Sequence, residues 1–518
     1  MNTTPTYPRA DQADIALLLE GTYPFVSGGV SSWTHQIIQA HPHLRFALVF
    51  LGSRRADYPQ QRYALPPNVV HLETHFLHDA ADTDAPASPP RGRTGDAAAF
   101  ADIRALHAAF RHHPEKVAEG FQTACAHIRP DGAIPAGDFR HAEAAWQMVT
   151  EHYRAHCTDP SFVDYFWTVR IMHQPLWQLA RIADTLLPVR AYHTISTGYA
   201  GFLGALLAQS TGCPLILTEH GIYTKERKID LFQSEWIRDN RNSFQRDPTE
   251  LSYFRQLWIR FFEWMGRLTY AAADPIIALY EANRARQIAD GARAERTRSI
   301  PNGVSIARLA PLRDRRPVAT PPVLCLIGRV VPIKDVKNFI RAMRSVVNRL
   351  PHAEGWIAGP LDEDPAYVEE CRNLIDSLGL GGSVRLLGMQ RVDELLPQIG
   401  LVVLSSISEA LPLVVLEGFA AGVPCVSTDV GACRQLIEGG TPEDRALGAA
   451  GRVVGIADPQ ALAEASLALL GDTDAWCAAR DAGVARVEKY YSDKLMFQRY
   501  RTVYDTALNP LPVRILHP

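Results

Sequence analysis

The sequence predicts an α/β protein with two Rossmann-like domains, and three observations carry that prediction. Short apolar runs of strand length alternate with stretches of helical periodicity along most of the chain. That is the pattern of parallel sheets covered by helices on both faces. The alternation comes in two sets, separated by the proline- and charge-rich stretch "RTRSIPNGVSIARLAPLRDRRPVATPP" at about residues 296 to 322. At 518 residues and 47% hydrophobic content, the chain is also too long for one ordinary core.

Taken in order, the first set of strands is "DIALLLEG", "RFALVFLG", "AYHTIST", "PLILTEHG" and "DPIIALY". The first of them breaks into a loop at Gly21 to Gly29 and resumes as a helix from about Ser31. The Gly28-Gly29 pair in that loop suits either a tight βα turn or the approach of backbone N–H groups to an anion at a helix N-terminus. Between strands, "HDAADTDAPASPPRGRTGDAAA" is polar and rich in Pro and Gly, so a mobile loop is expected. The segment from "KERKID" through "RNSFQRDPTEL" is an unusually charged insertion, either a lid or acceptor-binding element or a solvated helical face. The second set is "PVLCLIGRV", "GWIAGP", "VRLLGM", "LVVLSS" and "PCVSTDVG". A ligand is expected in the cleft between the domains, at strand C-termini.

A net charge of -3 gives no basic footprint, which argues against bulk nucleic-acid binding. The eight cysteines are scattered with no C-x-x-C pair, so neither a zinc site nor a disulfide framework is expected. The N-terminal residues "MNTTPTYPRADQAD" show no signal-peptide pattern. The longest apolar stretch, "LPLVVLEGFAAGVPCV", is broken by Glu417, two glycines and a proline, and does not make a membrane span. A soluble cytoplasmic protein is the expectation.

The stretch "LSSISEALPLVVLEGFAAGVPCVSTDVGA" is the richest in chemistry. A strand ends at Leu404, Glu409 falls in the following loop, Pro412 is placed as the first helical residue, and Glu417 lies about a turn and a half inside. A diphosphate at that helix N-terminus could accept bonds from the N–H groups of Leu413 and Val414, with Glu409 and Glu417 on either side of it. Carboxylates in such a place have a use if they accept hydrogen bonds from sugar hydroxyls. Without neighbours they read equally well as exposed surface groups. In "LIGRVVPIKDVKNFI", Arg329 ends a strand and Lys334 follows in the strand-to-helix loop. Two cations there suit a leaving diphosphate in a water-poor cleft, the alternative being a solvated loop.

"GRVVPIKD" followed by Glu409-x₇-Glu417 resembles the donor site of the family-four retaining glycosyltransferases, and "SIPNGVSIARL" is similar to the segment that opens their C-terminal domain. Within that family, "ALLLEGTYPFVSGGVSSWTHQII", "ILTEHGIYTKERKI" and "SSISEALPLVVLEGFAAGVPCVSTDVGACRQLIEG" are most similar to the cytoplasmic glycosyltransferases of Pel exopolysaccharide synthesis. The resemblance implies a GT-B fold: an acceptor domain over residues 1–295, a nucleotide-sugar donor domain over 296–485, and a C-terminal helix over 486–518 that crosses back to the first domain. It implies that Arg329 and Lys334 bind the donor diphosphate, Glu417 the ribose hydroxyls, Glu409 the transferred sugar, and backbone around Met389 the base. Gly28 and Gly29 would close on the phosphates or acceptor. His220, at the end of an N-domain strand, would face the sugar, although a histidine there also serves to cap or pack under a loop.

The activity so implied is transfer of a hexose or N-acetylhexosamine from a UDP-sugar to a growing polysaccharide with the anomeric configuration kept. UDP-sugar is then the donor substrate, no metal or other cofactor is expected, and an inner-membrane Pel synthesis complex is the expected partner and recruitment site. A glycogen synthase-like enzyme and a non-catalytic nucleotide-sugar-binding subunit are the rivals. Other patterns carry less. "GYAGFLGALLA" spaces its glycines G-x-x-G-x-x-G and makes a weak dinucleotide site. The pairs Asp82/Asp84 and Asp472/Asp474 read as solvated carboxylates rather than metal ligands, and Asp362/Asp364 follows a strand in a loop that the resembled family does not use for metal. "LWIRFFEWMGRLTY" reads as a helix packed in the first domain ahead of a membrane-surface helix. In "YYSDKLMFQRYRTVYDTAL", Tyr490, Leu495, Phe497 and Tyr500 fall at roughly helical spacing.

Overall fold

The computed structural model describes residues 7–79, 92–113, 116–233, 237, 240 and 251–509. The chain divides into two compact units. Unit 1 comprises Met1–Ala278, Asn283–Arg298 and Tyr500–Pro518, and unit 2 comprises Leu279–Ala282 and Ser299–Arg499.

Unit 1 is built on strands β1 (Ile15–Glu20), β2 (Phe46–Gly52), β3 (Val69–Phe76), β4 (Ala191–Thr194), β5 (Leu215–Glu219), β6 (Ala273–Ala278) and β7 (Thr297–Ser299), in the order β3-β2-β1-β4-β5-β6-β7. β1 is parallel to both β2 and β4, with Ile15 opposite Phe46 on one side and Ala191 on the other. Its first five residues are buried, as a strand covered by helices on both faces requires. Strand order reverses at β1 and β4, so the crevice outside their carboxyl ends is the topological switch point.

Unit 2 repeats this plan with β8 (Val323–Ile327), β9 (Glu354–Ala358), β10 (Val384–Gly388), β11 (Leu401–Leu404), β12 (Cys425–Thr428) and β13 (Gly451–Val454), in the order β10-β9-β8-β11-β12-β13. Every registered pair is parallel. Each sheet thus carries the 3-2-1-4-5-6 order of a dinucleotide-type fold, and its switch point in unit 2 lies between β8 and β11.

Three strands, β3, β7 and β13, escape the sequence reading, and all three are edge strands. An edge strand needs less apolar surface than a central one. In β3 the interruption is a polar ladder, with Glu73 hydrogen-bonded to His71 at 2.8 Å and His75 at 3.0 Å. A second departure is the connection from β3 to β4. It holds the helices Ala97–His112, Val117–Ile128, Ala136–His141, Glu143–His156 and Phe162–Thr185, where a simple crossover needs one helix.

Several motifs acquire structural reasons. A Cβ at Gly201 would lie 2.6 Å from Thr269 Oγ1, and one at Gly204 would lie 2.7 Å from Leu215, so the glycine triplet serves close helix packing. In the helix Tyr253–Ala272, Trp258, Phe261, Phe262 and Met265 are buried, which is the packed arrangement expected of "LWIRFFEWMGRLTY". Asp364 and Asp472 are helix N-caps, accepting from the N–H groups of Tyr367 and Ala475, and so are engaged by backbone rather than only solvated. Asp82 and Asp84 lie outside the described residues, as does most of the segment 241–251. The eight cysteines are free thiols. Among the described residues, no helix is long and apolar enough to cross a membrane.

The C-terminal region is two helices, Thr473–Tyr490 and Asp493–Leu508. Tyr490 closes the first of them and lies in unit 2, which extends to Arg499. From Tyr500 onward the chain belongs to unit 1. There the Tyr500 hydroxyl is 3.1 Å from Thr218 Oγ1, and the Tyr504 hydroxyl is 2.9 Å from His193 Nδ1, both in fully buried surroundings.

Candidate functional site

At the switch point of unit 2, the loops after β8 and β11 are stitched together by hydrogen bonds to backbone carbonyls. Ser405 Oγ donates to the carbonyls of Lys334 and Asp335 at 2.9 and 3.0 Å, and the Ile407 N–H donates to Ile333 O at 2.9 Å. This fixes the two loops against each other and brings two charged side chains into contact. Lys334 Nζ lies 2.5 Å from Glu409 Oε1, which also accepts from Ser406 Oγ at 2.6 Å. Both ends of the pair are mostly buried, with 21% and 12% of the side chains exposed, so it is stronger than an open surface pair.

Glycines make the approach of these loops possible. Gly431 has φ +54°, and a Cβ there would lie 2.3 Å from Ala410 O and 2.4 Å from Glu409 O. The Ala432 N–H then donates to Ala410 O at 2.8 Å, so the turn after β12 holds the Glu409 loop by its backbone. On the other side, Gly359 has φ +156° and its Cβ would lie 1.9 Å from Gly328 O, immediately before Arg329. Both are places only glycine fills without displacement.

The helix Leu413–Ala420 starts beside Glu409. Pro412 is its N-cap rather than its first residue, so the helix starts one residue later than expected, and Pro412 supplies no side-chain cap. The N–H groups of Leu413 and Val414 are first-turn donors with no intrahelical acceptor, which makes this end suited to an anion. Glu417 lies on the same helix, where Arg308 Nη2 reaches its Oε1 at 3.1 Å, and Arg308 Nη1 bonds Asp393 at 2.5 Å. Burial raises the Glu417 carboxyl above its ordinary range, and the Arg308 guanidinium works against that rise. Arg329 is more open and pairs with Glu363 at 3.0 Å. Met389, after β10, is 73% exposed. Lys334 and Glu409 are therefore in direct contact, whereas Arg329 and Glu417 each hold another partner.

Unit 1 carries the remaining expected residues. The helix after β1 runs Gly29–Ala40, so it begins two residues earlier than expected, and Gly28 is its N-cap without a side-chain bond. A Cβ at Gly28 or Gly29 would meet nothing within 4 Å, so the pair borders open space rather than answering a packing need. His220 follows β5 and is buried, its ring edge-on to Trp33 with centroids 4.6 Å apart. Its Nε2 is buried without a hydrogen-bond partner among the described residues, and burial lowers its pKa to about 4, so the ring is neutral. Sequence reasoning missed Glu20 at the carboxyl end of β1. It accepts from Ser196 Oγ at 3.2 Å, the Ala200 N–H at 3.1 Å and the Tyr223 hydroxyl at 2.9 Å. The acidic end of "IALLLE" was the available signal. Arg308 was also missed, although it lies inside "SIPNGVSIARL".

Among the described residues, no group of three or more His, Cys, Asp or Glu side chains is placed to hold a metal ion. Over residues 13–295, more than half its length, the chain matches the family described as Domain of unknown function (DUF3492). The chain belongs to the DUF3492 family. This DUF3492 member also matches Glycosyl transferases group 1 over residues 321–472, the part that carries the Lys334–Glu409 pair. The exopolysaccharide phosphotransferase SCO2592 of Streptomyces coelicolor is 35% identical over 206 residues, 39% of this chain and 20% of that protein. The lipopolysaccharide core biosynthesis glycosyltransferase LpsE of Rhizobium meliloti is 31% identical over 175 residues, 33% of this chain and 48% of that protein. The DUF3492 chain thus spans half or less of these curated relatives. Among solved structures, HepE of Anabaena in complex with UDP aligns at TM-score 0.55 and 15% identity over 95% of this chain and all of that one. Sucrose-phosphate synthase of Thermosynechococcus elongatus aligns at TM-score 0.55 and 16% identity, over 95% and 98%. These likenesses establish the fold as the GT-B type with two Rossmann-like domains.

Proposed function

We propose that this chain is a UDP-sugar-dependent retaining glycosyltransferase that moves a hexose or N-acetylhexosamine to a growing exopolysaccharide, of the PelF type in Pel biosynthesis. The observation that carries the proposal is the Lys334–Glu409 pair at the switch point of a group 1 glycosyltransferase domain, beside an uncapped helix N-terminus. Lys334, Arg329 and the N–H groups of Leu413 and Val414 take the diphosphate, Glu417 the ribose, Glu409 the transferred sugar, and backbone near Met389 the base. A relative named for exopolysaccharide and structural neighbours solved with UDP and UDP-glucose support the choice of substrates.

In this reading the acceptor oxygen attacks the anomeric carbon on the face that UDP leaves, the bond from that carbon to the phosphate oxygen breaks, and a donor phosphate oxygen takes the acceptor proton. The cations and helix end stabilise the charge developing on UDP. Gly28 and Gly29 close on the phosphates or acceptor, and the neutral His220 ring faces the sugar. The protein works in the cytoplasm, recruited to an inner-membrane Pel synthesis complex.

Calorimetric titration with UDP-glucose, UDP-N-acetylglucosamine, UDP-N-acetylgalactosamine and ADP-glucose, paired with transfer assays on native membranes, tests the proposal. One UDP-sugar should bind best and be turned over. Preference for ADP-glucose would point to a glycogen synthase-like enzyme, and UDP binding without turnover to a binding subunit. Because cations and a helix end handle the diphosphate charge, turnover should survive EDTA. Activity lost on chelation and restored by Mg²⁺ or Mn²⁺ would overturn that part.

A further inference from the structure

The helices between β3 and β4, with Tyr199–Thr211 and Tyr253–Ala272, enclose a cavity of about 560 Å³ in unit 1. Its wall is apolar and aromatic, with Phe121, Met148, Met172, Leu176 and Phe261 among the buried residues that face it. An apolar void of this size is not sustained by close-packed side chains, since each unfilled volume element forfeits contact energy. Its size is that of ordinary small-molecule sites.

The polar groups of the lining are sorted by position. His107 and His173 stand in the wall, and burial lowers their pKa values to about 3 and about 4, so both rings are neutral near pH 7. Glu263, the single acid in the lining, is bonded by Lys228 Nζ at 2.6 Å. The lining residues that are exposed to solvent are Arg111, His112, Arg260 and Arg267, all basic types. Arg111 and Arg260 are both close enough to Tyr253, itself a lining residue, to act on it. No carboxylate of the described residues is within ion-pair distance of Arg111, Arg260 or Arg267.

We infer that this cavity is a binding site for an amphiphile with one hydrocarbon chain in the apolar wall and an anionic head on the Arg111–Arg260 rim. The apolar interior selects the chain, and the exposed guanidinium groups of the rim select the charge, as carboxylate or phosphate. The site lies wholly within unit 1 and is independent of the donor chemistry assigned to unit 2.

The test is calorimetric titration of the full chain with palmitate and farnesyl phosphate, with hexadecanol and farnesol as uncharged counterparts. One or both anions should bind saturably at one site, at least about ten-fold tighter than the alcohols. Preference for farnesyl phosphate identifies a lipid phosphate as the source, and preference for palmitate a fatty acid. The double variant Arg111→Glu/Arg260→Glu changes exposed side chains and should weaken the anions at least about ten-fold. Ala124→Trp should fill the cavity and abolish binding; if it does not fold, the charge reversal decides. Absence of saturable anion binding, equal affinity for the alcohols, or wild-type affinity in the charge-reversed variant would each overturn the inference.

Discussion

Glu409 and Glu417 stand eight positions apart on one loop-helix segment, yet the structure gives them different cations. Glu409 holds Lys334, and Glu417 holds Arg308. Their alanine variants should therefore behave differently. Glu417→Ala removes the group assigned to the ribose, which UDP and UDP-sugar share, and should weaken both by about 1.5–3 kcal/mol. Arg308 retains Asp393, so the helical turn bearing it, Ile306–Leu309, stays anchored. Glu409→Ala removes no nucleotide contact and releases Lys334 Nζ toward the diphosphate. UDP affinity should stay at or above that of the wild type, while turnover falls strongly because the sugar is no longer aligned. Titration of both variants with UDP alongside transfer assays checks this. Equal loss of UDP binding in the two would refute the placement.

At the level of elements, the site is a set of loops at the carboxyl ends of β8, β9, β11 and β12, held by backbone contacts. Gly431→Ala tests that construction directly. The added Cβ meets two carbonyl oxygens closer than 2.5 Å, at a left-handed φ. Strain in φ of about 1–2 kcal/mol and overpacking of about 1–3 kcal/mol should lower unit 2 stability by roughly 2–5 kcal/mol. The Glu409 loop should shift with it, so transfer should fall even at temperatures where the variant is folded. A melting curve and a transfer assay at low temperature make the measurement, and wild-type values in both would show that the loop is not held this way. Much of this arrangement was legible in sequence. The central strands are continuous apolar runs, and "IGRVVPIKD" and "SSISEALP" sit where such runs end. What sequence could not give is that Ser405 bonds the Lys334 carbonyl, or that Gly431 presses on residue 409 from 22 positions away, because both depend on strand order. The helices of residues 97–185 were illegible as architecture for another reason. Their apolar faces pack on one another and line a cavity, and no strand pattern punctuates them.

For the whole molecule, the asymmetry between units has a consequence for pH. Unit 1 buries His193 and His220, whose pKa values are lowered from 6.5 to about 3 and about 4, with burial the leading cause. Unit 2 contains one histidine, His352, which is exposed. A base whose folded pKa lies below its unfolded value contributes stability that is complete above about pH 6.5 and lost as the pH falls toward the folded value. Each of the two histidines therefore subtracts about 1.4 kcal/mol from unit 1 per pH unit between roughly 6.5 and 4. His107 and His173, lowered by burial to about 3 and about 4, act in the same direction. Glu219 opposes them. Burial raises its carboxyl to about 7 against donors from Tyr270, Gln287, Tyr223 and Thr197. Its contribution is complete below about pH 4.5 and lost as the pH rises through 7, so acidification returns it and offsets about one histidine. The net effect remains a loss, confined to unit 1. Hydrogen exchange in moderate urea, read peptide by peptide at pH 7 and pH 5, should show strands β1, β4 and β5 losing protection on acidification by well over ten-fold more than β8, β11 and β12. His193→Gln should flatten that difference even though it lowers stability at pH 7. Equal loss of protection in both sheets would mean that the buried imidazoles do not set the acid sensitivity of the chain.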